Sequence, residues 1–397
     1  MTTRAVVILY IGIALAMVGY GIAIPLFPFY IESLGGRGIH LGLLVSVYGL
    51  MQLLFAPLWG SLSDTHGRKP FLLLGMLGLG TGMLLMGLAT RLWMLYGAQV
   101  LAGALSCATF PAAMAMISDL YSDDKRSAAM GRVGGAAGLG VILGPGIGGV
   151  LAFSSLSVPF FIAAAFSFLT LAVMVVWLPE SLEEKNRATK KNDKNWFFKV
   201  NFHTALVGPM AIGLIAAFAV NFGKSGFTSV YGLFAWQRYG YGPAEVGLLL
   251  MIMSLMYAVA QGVLVGPLTK RFGEVTLIRL LFPVIALGFI VMLLATHTVT
   301  VILSISMFML FIALLKPVAL SYVSRQCCGN QGAAMGVAES FMSIGRIAGP
   351  LWAGFVFDIN INFPYLSIAA FFGLMFLMSF RGRVLKGAGE CLTMKCL

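Results

Sequence analysis

Lys224 in "VNFGKSGF", Lys316 in "ALLKPV", Glu339 and Arg346 all lie inside long apolar runs of a 397-residue chain. An ionisable side chain in such a setting is costly to desolvate, so each marks a candidate functional position. Three cations stand against one carboxylate, a balance suited to holding an anionic or zwitterionic group. Asn221, three residues before Lys224, adds an uncharged donor and acceptor. The first half of the chain offers only uncharged polar groups inside its runs: Tyr20, Tyr48, Gln52 and Gln99. Phe27, Phe110 and Tyr231 either supply a stacking wall to a site or pack as ordinary helix contacts. Counted from the ends of their runs at ~1.5 Å per residue, Lys316 and Glu339 reach similar depth, so a salt bridge between them is expected. Lys224 is then left to hold an anion, with Arg346 tuning the field.

A second group is "GSLSDTHGRKP", residues 60–70. Gly60 lets helices approach, Asp64 can cap and pair, Gly67 permits a sharp turn, and Arg68 and Lys69 are ready cations. Asp119, near the end of a later run, is a plausible second acid. The alternative is that Arg68 and Lys69 serve only to orient the chain in a membrane. No phosphate-binding glycine loop and no metal-ligand spacing of His or Cys occurs within the runs, and the four histidines fall at or near run ends. Neither an enzyme, a cofactor nor a metal site is expected.

The elements that must position these residues follow from composition. The chain is 59% hydrophobic and 10% charged, too few charges to cover a soluble protein of this size. Apolar runs fall near 5–29, 40–60, 70–90, 92–118, 128–152, 157–178, 204–232, 243–268, 276–296, 300–324, 333–357 and 361–380. Each approaches the roughly 20 residues that span a bilayer as a helix. The sequence therefore reads as an all-α membrane protein of twelve transmembrane helices in two six-helix halves, 1–178 and 204–380, with a linker at 179–203 and a tail at 381–397. The first run is too long for a signal-peptide core and reads as a retained helix. Arg68, Lys69, Lys125, Arg126, Lys270, Arg271, Arg325, Arg381, Arg383 and Lys386 share one side, against Arg37, Arg91 and Arg238 on the other, which puts both termini in the cytoplasm.

The net charge of +12 is spread over these loops and the linker, where Lys185, Arg187, Lys190, Lys191, Lys194 and Lys199 cluster. That pattern suits a solvated linker, or anionic lipid headgroups, and argues against nucleic acid as a partner. Five cysteines, Cys107, Cys327, Cys328, Cys391 and Cys396, make no disulfide framework. Palmitoylation is an option for the last two, and the final "MKCL" is no prenylation box.

The chain also repeats itself. "AAMGRVGGAAGLGVILGPGIGG" at 128–149 aligns without a gap on "AAMGVAESFMSIGRIAGPLWAG" at 333–354, with nine of 22 positions identical. "GSLSDTHGR" matches "GPLTKRFGE" through Gly60/Gly266, Leu62/Leu268 and Gly67/Gly273, while Pro111 falls on Pro317 and Pro159 on Pro364. Small residues let helices pack closely in lipid, so Gly131, Gly135 and Gly138, with Gly140, Gly144 and Pro145 and the matching Gly349 and Pro350, read as contact surfaces between the halves. The glycine-proline pairs are expected to bend their helices.

These motifs resemble the major facilitator superfamily, and within it the twelve-helix drug:proton antiporter branch. "GSLSDTHGRKP" is similar to its loop motif, "GVILGPGIGG" to its helix-five antiporter motif, and "PES" and "SIGRIAGP" extend the likeness over nearly the whole chain. The resemblance implies alternating access, with the cluster around Asp64, Arg68 and Asp119 latching the outward-facing state. It also implies a central cavity lined by helices one, four, seven and ten, which makes Lys224, Lys316, Asn221 and Gln99 candidates for substrate contact. Two positions depart from the pattern: Gln99 in "QVLAG" stands where the branch carries arginine, and Thr65 stands where an arginine follows the motif aspartate.

With no ATPase motif, energy must come from an ion or substrate gradient. The expected activity is proton-coupled efflux of amphipathic compounds. One alternative is export of an anionic or zwitterionic metabolite such as a siderophore or organic acid, and another is a non-transporting membrane receptor or scaffold. A monomer in the cell membrane, with a small-molecule substrate and a proton as partners, completes the expectation.

Overall fold

A computed structural model describes residues 3–121, 123–153, 155–181, 210–326 and 331–379. The basic linker residues from Lys185 to Lys199, the pair Cys327 and Cys328, and the tail with Cys391 and Cys396 lie outside the described residues. The described chain forms helices α1 (Thr3–Ala23), α2 (Phe27–Ser33), α3 (Gly38–His66), α4 (Lys69–Gly87), α5 (Leu92–Ser106), α6 (Thr109–Leu120), α7 (Asp123–Leu151) and α8 (Val158–Trp177). After the linker follow α9 (Ala211–Tyr239), α10 (Pro243–Val259), α11 (Val265–Phe272), α12 (Glu274–Leu294), α13 (Thr298–Gln326), α14 (Gln331–Phe357) and α15 (Phe363–Met378).

Ten segments among the described residues are long and apolar enough to cross a membrane, including Val6–Ser33, Leu92–Leu120 and Pro243–Phe272. With α14 and α15 they make twelve rods, one for each apolar run. Breaks within rods follow proline. Pro25 and Pro28 lie where α1 passes through a 3₁₀ turn at Ile24–Leu26 into α2. Pro111 has no N–H for the carbonyl of Cys107, where α5 ends and α6 begins. A π-turn, Ala260–Leu264, joins α10 to α11 just ahead of Pro267. By contrast α7 runs through Pro145 and α14 through Pro350 as continuous helices. The expected bends at the glycine-proline pairs thus leave helix assignment uninterrupted, because neighbouring helices hold the freed backbone.

The described residues form two compact units. The first holds α1–α8 together with Gly232–Met251, and the second holds α9 up to Tyr231 and the chain from Ile252 onward. In the first, Leu9, Ile13, Ile22, Phe27, Met76, Met116 and Phe160 are buried together. Tyr30 reaches the carbonyls of Met86 and Ala89 at 2.9 and 2.8 Å, which satisfies a buried hydroxyl. In the second, Phe289 packs on Phe308 with ring centroids 4.3 Å apart, and Phe227 on Phe308 at 5.0 Å. Outward positions stay apolar, among them Trp93, Leu139, Val150 and Val176, as surfaces facing lipid require.

Glycines set the closest approaches. A side chain at Gly140, Gly144 or Gly148 would collide with the backbone of α1 at Ala14, Gly21 or Ile22. At Gly345 or Gly349 it would collide with Phe218 or Phe222 of α9. The surfaces expected between halves are therefore, at Gly140, Gly144 and Gly349, seams inside each half: α7 on α1 and α14 on α9. Two other glycines of α7 turn elsewhere in the first unit, Gly146 toward Met251 and Gly149 toward Pro243 and Ala244. Gly131, Gly135 and Gly138 have nothing within 4 Å of a notional Cβ.

Candidate functional site: a charged latch and a cationic cluster

The charged cluster expected to act as a latch is built where α3 turns into α4. Gly67 takes φ +105°, open to glycine alone, and the turn carries Arg68 inward. The Arg68 guanidinium lies 2.6 Å from Asp64 and 3.0 Å from Asp119 at the end of α6, and donates to Ser63 Oγ at 3.0 Å. Its side chain is only 5% exposed. Burial by itself would favour the neutral guanidine, but the hydrogen bonds and charges of Asp119 and Asp64 outweigh it and hold the pKa above the ordinary arginine value. Thr65 turns back to the carbonyl of Leu62 at 3.0 Å and takes no part in the ion pairs.

Glu180, in "PES" after α8, completes the arrangement. It accepts from the backbone N–H groups of Arg68 at 2.8 Å and Lys69 at 3.1 Å, capping the exposed amides at the start of α4. A Cβ at Gly67 would come within 2.5 Å of this carboxylate, so glycine is needed there for close approach as well as for φ. Lys69 donates to the carbonyl of Val175 at 2.8 Å. Sequence reading singled out Asp64, Gly67, Arg68 and Asp119, which the structure brings together, whereas Gly60, expected to let helices approach, has nothing within 4 Å of a notional Cβ. It missed Ser63, a local partner five residues before Arg68, and Glu180, whose role depends on which loop lies over the start of α4.

The second unit carries the same device with its charges reversed. Gly273 takes φ +73° at the position matching Gly67. Glu274, matching Arg68, pairs with Arg325 at 3.2 Å and accepts from Ser321. Arg325 lies 206 residues beyond Asp119, the same offset that relates Glu274 to Arg68 and Lys270 to Asp64. The residue after the turn is the buried member in both cases, with Glu274 7% exposed against 73% for Arg325. This inversion was legible in the aligned repeat, at residues that charge counting had assigned to topology.

The cationic cluster lies in the second unit. Lys224 of α9 extends its ammonium over the ring of Tyr257 on α10, 3.8 Å from the centroid, a cation–π contact. Lys316 of α13 and Arg346 of α14 are within electrostatic range of it. The seam at Gly345 and Gly349 explains why. It draws α14 against α9 until Ser225, next to Lys224, reaches the carbonyls of Gly345 and Arg346 at 3.5 Å. Glu339 pairs with Arg346 at 3.2 Å, and the expected Lys316–Glu339 bridge is not formed. Residues seven apart share a face of one helix two turns on, which long side chains span, whereas Lys316 belongs to another helix. Asn221 buries its Nδ2 with no hydrogen-bond acceptor among the described residues.

The remaining candidates are in the first unit. Tyr20 stacks on Tyr48 at 5.5 Å, and the Tyr48 hydroxyl meets Ser106 at 3.1 Å. Gln99 is buried in α5, while Phe110 is exposed on α6. Phe27 packs on Phe160 and Tyr231 stacks on Phe227, so these two rings belong to the cores of their units.

Comparison with known proteins agrees with this architecture. The sequence model of the Major Facilitator Superfamily matches residues 9–231 and 213–388. "Multidrug resistance protein 2" of Bacillus subtilis (strain 168) is 31% identical over 362 residues, covering 91% of this chain and 90% of the relative. "Quinolone resistance protein NorA" of Staphylococcus aureus (strain MRSA252) is 28% identical over 368 residues, covering 92% and 93%. Among solved structures, a bacterial homolog of the human lysosomal transporter Spinster, inward-facing and occupied, superposes with TM-score 0.79 at 14% identity, covering 95% of this chain and 96% of that one. The human organic anion transporter MFSD10 gives TM-score 0.66 at 22% identity, over 96% of this chain and 100% of the other. By the sequence match, which spans nearly its whole length, this multi-pass membrane chain belongs to the Major Facilitator Superfamily.

Proposed function

We propose that the chain is a secondary active exporter of amphipathic small molecules, driven by a proton gradient and working by alternating access. The observation that carries this reading is the full-length likeness to multidrug resistance proteins, 31% identical over about nine-tenths of both chains. The two latches fit it. The first joins two ion pairs and the second one at a helix turn, and each is an element whose making and breaking a substrate or proton can bias. The halves 1–178 and 204–380 are the moving bodies, the linker 179–203 joins them, and both termini face the cytoplasm of a monomer in the cell membrane.

The test is efflux of a panel of amphipathic dyes from proteoliposomes holding the full chain, with and without an imposed pH gradient. Dye movement that follows the gradient and collapses on adding a protonophore is expected. Movement indifferent to gradient and protonophore would remove the coupling, and no movement of any dye would remove the transport reading.

A further inference from the structure

We propose that Lys224, Asn221 and Tyr257 form a subsite in the second unit for a carboxylate carried by an amphipathic aromatic substrate. The proposal rests on the transport reading and adds the charge class of what is carried. Lys224 is half-buried on a membrane-spanning helix, and its described neighbour is a π face rather than an acid. No carboxylate lies within ion-pair distance of Lys224 or Lys316 among the described residues, and the one acid of the cluster, Glu339, is engaged by Arg346. The cluster thus has cations in excess, held near one another where repulsion is weakly screened. Such an arrangement is stable only where water or an anion reaches it.

The donor set specifies the anion. An ammonium has three N–H donors and no acceptor, and Asn221 Nδ2, one turn earlier on the same helix, has no acceptor either. A carboxylate has two oxygens that accept from both at once. A neutral amide accepts through one oxygen and gains little from the ammonium's charge. The Tyr257 ring holds the ammonium on its π face, so an aromatic body attached to the carboxylate lies beside this ring, not on the face the lysine covers. A cationic substrate would meet Lys224, Lys316 and Arg346 as like charges.

The experiment uses the full chain purified in nanodiscs, without any gradient, and three fluorescent probes sharing one aromatic body: dansylglycine, dansylglycinamide and dansylcadaverine. Dansylglycine should bind on the order of tenfold more tightly than the amide, as a charge-assisted bond implies, and the cationic probe most weakly. Lys224→Gln should bring dansylglycine down to the affinity of the amide and leave the amide within about twofold, its retained binding showing that the variant is folded. Lys224→Arg should keep part of the preference, because charge is kept while shape changes. Asn221→Leu should weaken dansylglycine more than the amide. Three probes binding alike, dansylcadaverine binding tightest, no binding of dansylglycine, or a preference untouched by Lys224→Gln would each overturn the subsite. These measurements need no proton gradient, so loss of gradient-driven efflux would overturn the transport reading while leaving the binding result intact.

Discussion

At the scale of single residues, Arg68 ties two helices and a turn together through one side chain. It satisfies Asp64, Asp119 and Ser63 at once from a buried position. Arg68→Ala should therefore remove the shared partner of two carboxylates that keep contact with water, and cost about 1–3 kcal/mol; thermal unfolding of the purified chain checks this. The raised Arg68 pKa fixes the sign of its pH dependence. A cation held above its ordinary value contributes stability that is fully present below that value and lost only as pH rises through the folded one. The melting temperature contributed by Arg68, measured as wild type minus Arg68→Ala, should thus stay flat as pH rises from neutrality to about 10. In the cationic cluster, exchanging Arg346 and Glu339 should restore much of the transport lost in either single variant, while exchanging Lys316 and Glu339 should restore none. The reverse result would return the bridge to Lys316.

At the scale of elements, the glycines of α7 and α14 act as spacers. Gly349 lets α14 lie against the carbonyl of Phe222, and a side chain there must push the helices apart. Gly349→Val should lower the melting temperature and weaken substrate binding together, since α9 carries Lys224 on the same seam. Gly373→Ala, where a Cβ meets nothing within 4 Å, should change neither. The helices themselves are apolar nearly all round, as lipid permits, so their identity as helices was plain from the runs while their facing was not. Periodicity identifies a buried face only when the other face is wet.

At the scale of the whole molecule, the reversed latches make the two halves electrostatic opposites at matching turns, Arg68 with Asp119 in one and Glu274 with Arg325 in the other. Glu274→Arg and Arg325→Glu should each depress transport, and the two combined should recover it, because the pair is rebuilt in the polarity of the first half. Failure of the double variant in a protein that still reaches the membrane would confine the pair to topology. Cysteine introduced near residue 190 should escape labelling from outside intact cells, as expected if the linker lies on the cytoplasmic side.

Composition and repetition alone indicated the solvent, the twelve helices and the doubling of the chain, because each depends on sums over many residues that no single contact can overturn, whereas the family came from the resemblance of a few short motifs. Asp64, Gly67 and Arg68 were also legible as a group, since a turn with a fixed spacing brings them together locally. Tertiary structure decided what lies far apart in sequence. It placed Glu180 on the start of α4, 112 residues from Arg68, and Tyr257 beneath Lys224. It turned Gly349 toward α9, and it gave Glu339 to Arg346 instead of Lys316. Depth along a helix can be counted from sequence, but rotation about its axis is set by packing, and a salt bridge of a few ångströms is decided by rotation.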